Sequence, residues 1–124
     1  MKKVLLGLLA LAGTAGIAAA NTLTITNLTS CPYTLSISGT GSGGGGAMVG
    51  AGASITYTSG AGLNIGAIKI MYVSGTNFTQ VNVGYGFFYS NSIGQPTPPC
   101  LTGTYFTASW AQASPTDNAT LVIF

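Results

Sequence analysis

The sequence predicts an all-β chain: a single antiparallel β-sandwich, Ig-like or jelly-roll-like, of about seven to eight strands over residues 21–124. Three observations carry this reading. Apolar and polar residues alternate with a period of two in one short segment after another, and in a strand successive side chains point to opposite faces. Gly, Pro and Asn punctuate the chain between those segments. No 3.6-residue apolar stripe follows residue 20, so no helix has a face to bury.

Residues 1–20 read differently from the rest. Met1-Lys2-Lys3 precedes an apolar run from Val4 to Leu11, and small residues lead to Ala18-Ala19-Ala20. A basic start, an apolar middle and an A-x-A end are the pattern of a cleaved secretory signal peptide. Gly13, Thr14 and Gly16 dilute the stretch below what a membrane anchor of about 20 strongly apolar residues requires. The predicted location is therefore extracellular or at the cell surface, with no membrane span in the mature chain.

Loss of this leader leaves Lys69 and Asp117 as the charged side chains, with a net side-chain charge of zero. Ser, Thr and Asn supply the polarity instead. Without net charge a protein lacks the repulsion that keeps copies apart, which points to a homo-oligomer or polymer. The two cysteines, Cys31 and Cys100, form an even pair in an exported chain and are expected to make one disulfide. Closing a loop of about 70 residues contributes roughly 4 kcal/mol by loop-closure entropy.

Taken in order, Thr22, Thr24 and Thr26 alternate with Leu23 and Ile25 in a first strand. Cys31-Pro32 breaks the pattern, and Tyr33, Leu35 and Ile37 mark a second strand. The Gly-rich run 39–46 is a flexible loop, since no G-K-[ST] ending makes it a phosphate loop. Residues 47–53 are small and weakly patterned. Ile55 and Tyr57 mark the next strand, and Ile68, Ile70 and Tyr72 share one face of a longer one whose other face carries Lys69. Ser74-Gly75-Thr76-Asn77 is a turn into residues 81–89, read as one long central strand. Val81, Val83, Tyr85, Phe87 and Tyr89 would line its core face, leaving a bare face at Gly84 and Gly86. The Pro-rich 95–99 cannot join a ladder; residues 105–110 and 120–124 complete the strands around a turn at 114–118. An outer-membrane barrel fits poorly, because about eight strands of about 9–11 residues would leave little chain for these loops.

Ile25-Thr26-Asn27 followed by Cys31-Pro32-Tyr33-Thr34 resembles the opening of thaumatin-like proteins. The resemblance covers residues 25–34, and it implies a shared strand–Cys–strand geometry. Those proteins carry many more cysteines and an acidic cleft that this sequence lacks, so the resemblance implies no function.

The chemistry open to this chain is narrow. General acid–base work needs His, Glu or Asp, and here Asp117 stands alone in a Ser-Pro-Thr-Asp-Asn turn. Paired carboxylates and His-dependent nucleophiles are missing, so no enzyme activity, cofactor or metal site is expected. One Lys in residues 21–124 cannot neutralise a phosphate backbone, which argues against nucleic acid. Three N-x-[ST] triplets, at Asn27, Asn77 and Asn118, are possible N-glycosylation acceptors near strand ends, where exposure is expected.

Two functions follow as expectations. The first is a secreted structural subunit of an extracellular filament, coat or matrix that self-assembles by β-strand addition. Residues 21–28 would be the donor strand, inserting Leu23, Ile25 and Leu28 beside Gly84 and Gly86 or at an unpaired edge near 120–124. The alternative is a secreted binding module or adhesin for a neutral surface such as polysaccharide. Rows of Thr at 22, 24 and 26, with exposed aromatics at Tyr105 and Trp110, would provide the glycan contact.

Overall fold

A computed structural model describes residues 21–39, 45–60 and 63–124. The expected leader at 1–20 and the centre of the Gly-rich run, 40–44, lie outside the described residues. Among the described residues there are nine strands and no helix. They are β1 (Thr22–Asn27), β2 (Tyr33–Gly39), β3 (Gly45–Val49), β4 (Ser54–Thr58) and β5 (Ile65–Ser74). Then follow β6 (Asn77–Gly84), β7 (Tyr89–Asn91), β8 (Thr107–Gln112) and β9 (Ala119–Ile123).

The strands form a five-stranded sheet in the order β4-β1-β9-β8-β7 and a four-stranded sheet in the order β3-β2-β5-β6. Alternation sets which side chains face inward. In β1, Leu23, Ile25 and Asn27 are buried while Thr22, Thr24 and Thr26 are half-buried on the other face. In β2, Tyr33, Leu35 and Ile37 are buried and Thr34, Ser36 and Ser38 are exposed. Leu23, Ile25, Leu121 and Trp110 from one sheet and Leu35, Ile70 and Val83 from the other belong to one hydrophobic cluster. Burying each such side chain stabilises the fold by roughly 1.5–3 kcal/mol before entropy is counted. The Cys31–Cys100 disulfide is present, with Cα atoms 5.2 Å apart. It ties the start of β2 to the loop before β8.

Several expectations need correction, beginning with the strand number, nine among the described residues against the expected seven to eight. Residues 81–89 are not one strand: β6 stops at Gly84, and Tyr85-Gly86 turn the chain. Gly86 has φ +93°, which suits glycine at the second central position of a turn, and Gly84 and Phe87 exchange backbone hydrogen bonds at 3.1 Å. The apolar period of two runs on in the sequence, but a two-residue reversal pairs Gly84 with Phe87 and so moves the odd-numbered residues to the opposite face. Consequently Val81 and Val83 are buried, whereas Tyr85, Phe87 and Tyr89 are exposed. Gly84 faces no open groove, since a Cβ there would lie 2.5 Å from the Gly66 carbonyl oxygen.

The sheets are also not wholly antiparallel, for β1 and β9 run parallel, with Ile25 opposite Leu121. That pairing leaves no free edge at 120–124, because β9 has β8 on its other side. The weakly patterned 47–53 contains most of β3, whose pairing with β2 compensates for small side chains. Trp110 is buried, and its indole N–H donates to Gln112 Oε1 at 3.1 Å. An indole carrying its own buried acceptor is satisfied inside.

The β5–β6 hairpin keeps to expectation. Ser74 pairs with Asn77 across Gly75-Thr76, and Gly75 takes φ +60°.

Candidate functional site

The two ends of β1 are held by buried polar brackets. Asn27 donates from Nδ2 to the Cys31 carbonyl at 2.7 Å and to the Gly50 carbonyl at 3.0 Å. Its Oδ1 accepts from the Thr29 amide at 3.0 Å and the Thr29 hydroxyl at 2.8 Å. The exposure expected of Asn27 as a glycan acceptor therefore does not hold; in the folded chain its amide nitrogen is engaged and buried. The sequon is locally an Asx turn, and the carbonyls that fill it come from the Cys31 loop and the β3–β4 turn. Asn77 and Asn118 are exposed, and Asn118 Oδ1 accepts from the Thr22 amide at 2.9 Å.

At the other end, Asn21 donates to the carbonyls of Ile65 and Asp117 at 3.0 and 2.7 Å and accepts from the Ile65 amide at 2.6 Å. Gln112 reaches the same two carbonyls, each at 3.0 Å. Sequence reading missed both residues, since only their position before and at the end of alternating strands set them apart. Tyr33 packs between Tyr72 and Phe106, with its hydroxyl accepting from Thr29 at 3.1 Å. Burial pushes its phenol above the ordinary value; the Thr29 bond pulls the other way and Tyr72 adds to the rise.

The four sheet edges differ in how they end. On the β6 side, Gln95 mimics a strand: its Oε1 accepts from the Gln80 amide at 2.8 Å and its Nε2 donates to the Gln80 carbonyl at 2.7 Å. The Thr79 hydroxyl donates to the Pro96 carbonyl beside it. β7 is only three residues long, and short edge strands resist further pairing. β3 and β4 carry neither Pro nor charge. The Asn27 amide bonds the Ala53 carbonyl and the Ser59 amide bonds the Asn21 carbonyl. Because antiparallel pairs alternate, Ile55 and Tyr57 turn their backbone groups to β1, and those of Ser54, Thr56 and Thr58 point outward.

The strand residues on the outer face of the five-stranded sheet carry no charged side chain. Thr56, Thr24, Thr120 and Ala111 lie in register across β4, β1, β9 and β8. The next row runs Ser54, Thr26, Val122, Ser109 and Tyr89. Beyond it Phe124 exchanges backbone bonds with Thr107, and the Leu28 amide bonds the Ile123 carbonyl, so Leu28 flanks Phe124. Two neighbouring hollows share Gly103, Tyr105 and Phe124; one continues to Leu28 and Thr102, the other to Tyr89 and Thr104. Lys69 lies on the other sheet beside Ser36 and Asn82, and Asp117 sits in the turn before β9, at the opposite end from Phe124.

Among the expected donor residues, Leu23 and Ile25 are fully buried inside the chain's own sheet and Leu28 is exposed. Among the described residues no three His, Cys, Asp or Glu stand together, and no helix is long and apolar enough to cross a membrane. Compared with protein-family models, curated proteins and solved structures, the chain matches none.

Proposed function

We propose that this chain is an exported structural subunit of an extracellular filament, coat or matrix, folded as a β-sandwich and assembling by β-strand addition at the β4 edge. A disulfide is compatible with an oxidising extracellular setting. The observation that carries the reading is the asymmetry of the edges. One side is blunted by the Gln95 mimic and by short β7, whereas β4 presents outward backbone groups at Ser54, Thr56 and Thr58 with no Pro or charge in the strand. Natural edges are normally protected by such devices, so an edge without them is an offered surface. Each backbone hydrogen bond gained there contributes about 0.5–1.5 kcal/mol net. Catalysis forms no part of this role.

The donor role of residues 21–28 is the propagating form of the same reading. Two β4 edges pairing about a two-fold axis close into a dimer, whereas exchange of β1 between neighbours is open-ended. Exchange restores the native contacts once complete, but it requires β1 to leave both β4 and β9. Edge pairing requires no such opening and is therefore the first step.

Thr56→Pro tests the edge directly. Its amide points away from β1, so proline removes an outward donor without breaking the native ladder. Light scattering and electron microscopy of the secreted protein should show dimers and larger assemblies for the parent chain and monomers for Thr56→Pro. Unchanged assembly by Thr56→Pro would refute edge addition. A Thr24→Cys/Thr56→Cys cross-link, placed at a closely spaced non-hydrogen-bonded pair, should stop filament growth but leave the dimer.

A further inference from the structure

We propose that the outer face of the five-stranded sheet binds a neutral, β-linked polysaccharide, with Tyr105 and Phe124 as its stacking residues. The first argument is exposure without charge. Tyr89, Tyr105 and Phe124 are 63%, 45% and 52% exposed, and Leu28 beside them is 66% exposed. Grouped exposure of large apolar side chains marks an interaction surface, whereas isolated exposure does not. Neither charged side chain of residues 21–124 lies on this face. A uronate, a sulfated glycan or a phosphate would meet no cation here.

The second argument is the alternation of ring and hydroxyl. Tyr105 and Phe124 border both hollows, one of about 390 Å³ and one of about 430 Å³, so a ligand lying across the face meets the same ridge from both sides. Both hollows are shallow and open to solvent, which suits a polymer lying across a surface and not an enclosed small ligand. A pyranose with equatorial hydroxyls has apolar C–H faces and a hydroxyl rim. Its faces match aromatic rings, and its rim matches Thr102, Thr104 and the neighbouring rows of Thr and Ser. Along each strand those side chains repeat every ~6.7 Å, with strands ~4.8 Å apart, giving a field of donors and acceptors interrupted at Ala111 and Val122.

A second copy of the chain fits this face less well. Protein contacts draw their energy from Trp, Tyr and Arg, and Ser and Thr are under-represented among the residues that matter. Here hydroxyls make up most of the field around the rings. The proposal does not depend on edge assembly: Tyr105 and Phe124 lie away from β4, so failure of one reading leaves the other standing.

The test is sedimentation of the secreted, disulfide-intact protein with microcrystalline cellulose and with crystalline chitin, using polygalacturonate gel as the charged control. Retention is expected on at least one neutral polymer, undiminished by molar NaCl, and absent on polygalacturonate. Tyr105→Ala and Phe124→Ala should each weaken retention about tenfold, as loss of a stacking anchor does. Phe78→Ala, on edge strand β6 and exposed to a similar degree at 46%, should leave it unchanged. No retention on either neutral polymer overturns the proposal, as does equal retention of Tyr105→Ala and the parent chain. Tyr105-dependent self-association without polymer binding would also overturn it, assigning the face to a second copy. Near-ultraviolet circular dichroism of each variant checks that the fold is intact.

Discussion

Asn27 makes four side-chain hydrogen bonds from a fully buried position at the end of β1. Removing such a group leaves the Cys31 and Gly50 carbonyls and the Thr29 amide without this partner, at a site closed around Cys31 and partly open towards Gly50 and Thr29. Asn27→Ala is therefore expected to cost about 2–3 kcal/mol, above the roughly 1 kcal/mol of an ordinary hydrogen bond. Urea denaturation of the oxidised protein measures this, and a loss below 1 kcal/mol would mean that water replaces the amide. Asn27→Asp should be worse than a simple isostere, because a carboxylate cannot donate to Cys31 and Gly50. Asn21 and Gln112 do the equivalent work at the other end, bringing the start of β1, the start of β5 and the β8–β9 turn to shared carbonyls.

At the scale of elements, Gly84 and Gly86 illustrate how alike two glycines look in a sequence and how differently they act. Gly86 supplies a left-handed turn with open space around it. Gly84 allows β6 to lie against β5, where an added Cβ would meet the Gly66 oxygen at 2.5 Å and the Ala67 Cβ at 2.8 Å. Gly84→Ala should destabilise by about 1–3 kcal/mol through overpacking against backbone. Gly66→Ala, next to the Ala67 that pairs with Gly84, meets nothing within 4 Å and should be nearly neutral. Thermal melts of the pair separate the close approach from a general preference against glycine in strands. Comparable losses in both variants would refute the packing argument.

For the whole molecule, the scarcity of titratable groups sets the response to pH. The chain has no His, and Asp117 is its single acidic side chain. Stability depends on pH only where proton binding differs between folded and unfolded states. The melting temperature should thus stay nearly flat between pH 5 and pH 8. Tyr33 changes this at the alkaline end. Its folded value is raised, chiefly by burial, above the ordinary 10.0, so its contribution is fully present below that value. As pH climbs beyond 10.0, the unfolded chain loses this proton first and stability falls. The fall should be smaller in Tyr33→Phe. A shift of many degrees between pH 5 and pH 8 would contradict the account.

Much of the fold was legible because strand periodicity is a local property. The inward sets Leu23/Ile25, Tyr33/Leu35/Ile37 and Ile68/Ile70 follow from alternation alone, and the even Cys pair follows from counting. Alternation also placed the Thr row of β1 on one face. It could not say that this row lies in register with Thr56 and Thr120, because those neighbours come from far along the chain. The β6–β7 turn stayed hidden because apolar alternation continues in the sequence through Tyr85-Gly86, although the two-residue reversal exchanges which face those residues occupy. Burial of Asn27 and Trp110 was equally out of reach: a polar group enters a core only when partners meet it there. Which edges stay open, and which residues stand together on a face, are decided by sheet order, and sheet order is a long-range pairing that no local pattern records.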